Sequence, residues 1–217
     1  MRNFPLLASL VAGLLLLSAP PSTGQAAGPA NTAPSLSAAD RETVQRLETY
    51  LNNIKTMQAD FQQIASTGQS ARGIFYLSRP GKLRVQYTEP EPAFLLANQN
   101  LLVYVDETLG QESYVPTGST PVSFLLADTI SLDGDVRIER VQSRDNVIRV
   151  GLVQRDDPDA GALTLVFSDL PLELRQWTVT DAQGVKTTIA LNNTSYGRKL
   201  DPDLFEYQQK PVQGPRN

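Results

Sequence analysis

From Thr56 onward apolar residues fall at every second position: Met57, Ala59 and Phe61 oppose Gln58, Asp60 and Gln62, and the alternation recurs along most of the chain. Successive side chains of a strand point to opposite faces, so this period specifies strand after half-buried strand. It predicts strands near 56–66, 71–78, 82–88, 93–98, 101–106, 111–115, 135–142, 146–154, 161–168, 173–180 and 185–195. Turn signals such as Asp133-Gly134, Arg144-Asp145-Asn146 and Ala182-Gln183-Gly184 separate them. Many consecutive antiparallel strands with few helices predict a mainly β fold with one strongly curved sheet, closed or half closed, rather than a βαβ arrangement. Its concave face would leave a large apolar patch in water and needs a cover.

Two segments with a helical period supply that cover. Ser37 starts a helix with Asp40 in its first turn and Val44, Leu47, Tyr50, Leu51 and Ile54 on one side; Glu42 and Arg46 are spaced to pair on its exposed face. A second, shorter helix is predicted over Ser119 to Ala127, with Pro121 in its first turn and Val122, Leu125 and Leu126 on its apolar side.

Residues 1–26 read as a secretory signal: Arg2 is the positive start, Leu6 to Leu17 the apolar run, and Gly24-Gln25-Ala26 the small-x-small cleavage site. The run is well short of the roughly 20 residues that span a bilayer, so export followed by cleavage is the expectation. Residues 27–36 are expected to form a flexible linker, 37–210 one domain and 211–217 a C-terminal tail.

The chain contains no cysteine and no histidine. That removes disulfides, thiol nucleophiles, thiolate zinc sites, histidine acid/base relays and histidine metal ligands. No phosphate-binding glycine loop appears either. Carboxylates remain as candidate catalytic pairs, Glu89 with Glu91 or Asp156, Asp157 and Asp159, but both groups fall in connections where solvated turns are expected. A formal net charge of -4 with no Lys/Arg cluster predicts no nucleic-acid partner. No enzyme activity, cofactor or metal is expected.

The richest local signal is Gly73 to Pro90, GIFYLSRPGKLRVQYTEP. Phe75, Leu77 and Arg79 share one strand face, Pro80-Gly81 turns the chain, and Leu83, Val85 and Tyr87 line the returning strand opposite Lys82, Arg84 and Gln86. An arginine in register with two large apolar residues sits at the rim of a hydrophobic surface. The order G-x-F-x-L-x-R-P-G, apolar strand, T-x-P resembles the periplasmic lipoprotein carrier family LolA. Thr56 to Gln63 looks like that family's first strand, and Leu101 to Asp106 and Thr120 to Leu126 fall where its later strand and lid helix lie. Leu83 and Val85 stand where the family often has bulky aromatics, a departure that bears on the shape of any cavity.

The resemblance implies that the sheet is an unclosed β-barrel covered by short helices, and that the protein is a monomeric periplasmic carrier. It would bind the acyl chains of lipoproteins released by an inner-membrane lipoprotein-releasing ABC transporter and deliver them to an outer-membrane lipoprotein acceptor. The acceptor is itself a lipoprotein, which a chain without cysteine cannot be. On this reading Met57, Phe61, Phe75, Leu77, Leu83, Val85 and Tyr87, with Phe124 and Leu125 on the lid, form the acyl surface, and Arg79 is the latch that bonds lid carbonyls. From pattern alone the same apolar residues read as ordinary core and Arg79 as a surface ion pair. The alternative is a structural or regulatory module whose concave face binds a partner peptide or another lipid.

Overall fold

In the computed structural model, which describes residues 36–98, 101–116, 123–134 and 136–207, helix α1 (Ala38–Asn53) starts where its cap dictates. The Ser37 hydroxyl accepts from the Asp40 backbone N–H while the Asp40 carboxylate accepts from the Ser37 backbone N–H, a reciprocal cap that contributes about 1 kcal/mol. Val44, Leu47 and Leu51 are its buried side, and Leu36, assigned to the linker from sequence, already packs on the core. Arg46 turns away from its own helix to pair with Asp169 at 2.8 Å. The segments expected from sequence to be the leader (1–26), most of the linker (27–35) and the tail (211–217) lie outside the described residues.

All eleven predicted strands form, each within two residues of its expected bounds. They are β1 (Thr56–Ala65), β2 (Ser70–Ser78), β3 (Lys82–Glu89), β4 (Ala93–Asn98), β5 (Leu101–Asp106), β6 (Gln111–Pro116), β7 (Val136–Arg144), β8 (Val147–Gln154), β9 (Gly161–Ser168), β10 (Glu173–Asp181) and β11 (Lys186–Tyr196). They make one antiparallel sheet in the order β6-β5-β4-β3-β2-β1-β11-β10-β9-β8-β7. Two hairpin meanders, β1 to β6 and β7 to β11, therefore meet at a central seam between the first strand and the last. The sheet is not closed, and β6 and β7 are its edges.

Ring contacts across the interior show how strongly the sheet bends. Phe75 on β2 and Trp177 on β10 lie three strand spacings apart, roughly 14 Å in a flat sheet, yet their ring centroids are 5.7 Å apart. The inward residues of both meanders form one core with α1 laid across it. The described part of the connection between β6 and β7, a strap of residues 123–134, carries the short helix α2 (Ser123–Leu126) and buries Leu125, Leu126, Ile130 and Leu132 in the same core. Of the helix predicted over Ser119 to Ala127, residues 123–126 are helical; residues 117–122, with Pro121 and Val122, lie outside the described residues.

The outer face departs from the polar surface that strict alternation predicts. Phe94, Leu96, Val103 and Val105 point outward from β4 and β5, and the segment with Leu200, Leu204, Phe205 and Tyr207 folds back over them. Arg84, expected in solvent, is drawn into this layer: its guanidinium lies 4.2 Å from the Phe94 ring centroid and donates to Gln86 Oε1 and the Leu204 carbonyl.

Candidate functional site

The β2–β3 turn brings Arg79 up against the ends of both helical segments. Its backbone N–H donates to the Lys55 carbonyl at 2.8 Å, and Gly81, at φ +78° where glycine is favoured, donates to the Leu126 carbonyl at 2.9 Å. Arg79, 9% exposed, completes the junction through its guanidinium. Nη1 donates to the carbonyls of Leu51 (2.7 Å) and Ile54 (3.2 Å), Nη2 to Ala127 (2.7 Å) and Asp128 (3.0 Å), and Nε to Ala127 (3.0 Å). The last carbonyls of a helix have no intrahelical partner and carry partial negative charge, so a planar cation with five N–H donors satisfies several at once. Burial lowers the pKa of this guanidinium and the nearby Asp128 charge raises it in part, which leaves it protonated.

Two further side chains tie α1 to the segment after α2. Asn52 Nδ2 donates to the Ile130 carbonyl and Asn52 Oδ1 accepts from the Ile130 N–H, both at 2.8 Å. One turn earlier, the Glu48 carboxylate accepts from the Leu132 N–H at 2.6 Å. Neither was singled out from the sequence, because a polar residue on an amphipathic helix ordinarily faces water and their partners lie about eighty positions away. Asn52→Ala is expected to free the Ile130 amide, raising its hydrogen-exchange rate at least tenfold while core-strand amides keep theirs; exchange read by mass spectrometry checks this.

Beneath the junction the structure brings most of the sequence-derived surface residues together. Met57, Phe61, Phe75, Leu77, Leu83, Val85 and Leu125 are buried in one continuous cluster with Val44, Leu47 and Leu51 of α1, and Tyr87 packs against it. Phe124 lies in α2, but its side chain is outside the described residues. Phe61 and Tyr87 meet edge to face with centroids 5.3 Å apart, above Gly73, the β-register partner of both. The acidic candidates are occupied elsewhere or exposed: Glu89 pairs with Arg72 at 3.0 Å, Glu91 accepts from Thr108, and Asp156, Asp157 and Asp159 flank or lie in an exposed 3-10 turn.

An unclosed antiparallel barrel with its mouth covered by a helix and a strap, both bonded to one rim arginine, is the class of protein these features define. The chain belongs to the LolA family: the family model described as "Outer membrane lipoprotein carrier protein LolA" matches residues 52–208. An outer-membrane lipoprotein carrier protein of Methylococcus capsulatus is 29% identical over 171 residues, covering 75% of this chain and 81% of that protein. One of the same description from Chromohalobacter salexigens is 27% identical over 173 residues, covering 76% and 81%. Among solved structures, an uncharacterized conserved protein from Thermus thermophilus superposes with a TM-score of 0.50 at 16% identity, over 79% of this chain and 95% of that one, a likeness of fold.

Proposed function

We propose that this protein is a periplasmic carrier that shields the acyl chains of lipoproteins between the inner and outer membranes. It would take them from an inner-membrane releasing transporter and pass them to an outer-membrane acceptor. The observation that carries this reading is the pairing of a continuous apolar inner face with a cover whose two halves converge on Arg79. Each acyl methylene moved into water costs about 0.8 kcal/mol, so a multiply acylated protein needs an alternative apolar surface to leave a bilayer. In the closed form α1 occupies that surface, and cargo binding requires α1 and the strap to swing aside. Among the described residues no helix is long and apolar enough to cross a membrane.

The test is competition. A fluorescent apolar probe bound to the purified protein is expected to be displaced by an acylated peptide and retained with the same peptide lacking its acyl chain; equal displacement by both overturns the reading. Phe61→Glu sharpens it, because a carboxylate on the inner face costs several kcal/mol unless it is protonated or reaches water. Acylated-peptide affinity is expected to fall at least tenfold, by more than the loss of thermal stability accounts for. Parallel loss of both would make Phe61 a packing residue only.

A further inference from the structure

Besides Arg79, the described residues with buried polar side chains are Gln63 and Thr187, each 2% exposed. Both stand on the apolar inner face. Gln63 continues the buried register of β1 after Met57, Ala59 and Phe61, and Thr187 is the β11 partner of Ala65, next to the pair Gln63 and Ile189. On adjacent antiparallel strands that makes them diagonal neighbours, about 7–8 Å apart between backbones. The Tyr87 hydroxyl reaches across Gly73 to donate to Gln63 Oε1 at 3.4 Å. That contact sets the amide so that Oε1 is engaged and the two Nε2 hydrogens are presented as donors. Burial raises the Tyr87 pKa, so its hydroxyl keeps the proton it donates. Thr187 Oγ1 is fully buried without a hydrogen-bond partner.

A buried hydroxyl with no partner is a cost that packing does not require, since valine has the same shape and no polar atom to desolvate. We infer that Gln63, Tyr87 and Thr187 form a polar subsite on the apolar inner face, which donates hydrogen bonds to the ester or amide carbonyl where an acyl chain joins its head. The inference rests on the carrier reading and refines it. At roughly 3.3 Å per residue, Gln63 lies about 20 Å along β1 from Met57, at the end of the strand remote from Arg79. A carbonyl anchored there lets the chain run along Phe61 and Met57 toward the latch, so the cargo is held at a defined depth as well as by its hydrocarbon.

The experiment uses two probes of equal chain length: a fluorescent alcohol carrying a hexadecanoyl ester and the same alcohol carrying a hexadecyl ether. The ether lacks the carbonyl. Fluorescence titration of the full-length protein should give a dissociation constant five- to tenfold lower for the ester. In Thr187→Val, and in Thr187→Val with Gln63→Leu, that ratio is expected to fall below twofold, with a melting temperature unchanged or raised for Thr187→Val. Equal affinities in the unaltered protein, or a preference surviving in the double variant, overturn the subsite while leaving the carrier reading standing. If Gln63→Leu does not fold, the ratio in Thr187→Val alone decides. Binding of neither probe to the unaltered protein removes the carrier reading and the subsite with it.

Discussion

Arg79→Leu is expected to take up lipoprotein at the normal level and to deliver it poorly. The side chain donates to four backbone carbonyls, two at the end of α1 and two just after α2, and leucine replaces none of these bonds. Truncating a hydrogen bond made by a charged group costs about 1.5–3 kcal/mol, and the loss falls on the closed form alone. A difference of that size shifts the open population by an order of magnitude or more. Leucine also adds apolar surface at the mouth, which favours the loaded state again. On the carrier reading proposed above, the closed form competes with cargo for the inner face, so weakening it is expected to impair release, not loading. The assay has two steps, uptake from inner-membrane vesicles and then transfer to the acceptor. Unchanged transfer would return Arg79 to a purely structural role. Arg79→Lys should fall between, because an ammonium keeps the charge but cannot span carbonyls of two segments with a planar fork.

The largest effect on stability is expected at Gly73. A Cβ there would sit 1.9 Å from the Gln86 carbonyl oxygen and 3.0 Å from Phe61 Cε1. The first contact is with backbone, so β2 and β3 have to part where the register already shifts between Arg72 and Gly73. The second displaces the Phe61 ring from Tyr87. Gly73→Ala should therefore cost on the order of 3 kcal/mol, about 6–12 °C in melting temperature for a domain of this size. Gly151→Ala is the control, since its Cβ would meet only the Arg140 Cβ at 3.9 Å, an ordinary contact. Matching melting temperatures for the two variants would show that β3 can move away from Gly73 without cost.

The alternation from Thr56 made the eleven strands and their antiparallel character readable, though not the pairing of the first with the last, and Ser37 with Asp40 marked the start of α1 to the residue. Arg79 was readable as a rim residue because it continues the Phe75 and Leu77 register. Its acceptors were only partly readable: carbonyls of the short helix were expected, but those of Leu51 and Ile54 belong to the other helix. Asn52 and Glu48 escaped notice because a hydrogen bond to a distant backbone leaves no local pattern. The outer layer escaped for a different reason. Ala93-Phe94-Leu95-Leu96-Ala97 is apolar on both faces, a sign that something covers the outside of β4, but the segment that does so has no periodicity to announce it.

The central seam also sets an order of events in time. β1 can pair with β2 as soon as a hairpin's length of chain is available, but its other edge waits for β11, the last strand. Contacts between the halves close a loop of well over a hundred residues, the slowest kind of pairing to search for, whereas every other strand pair is a neighbour in sequence. Until that closure the first meander carries an open apolar edge and an uncovered face. A chain that stops before β11 therefore lacks the strand that joins its halves, and β11 must be made before the interior has a boundary.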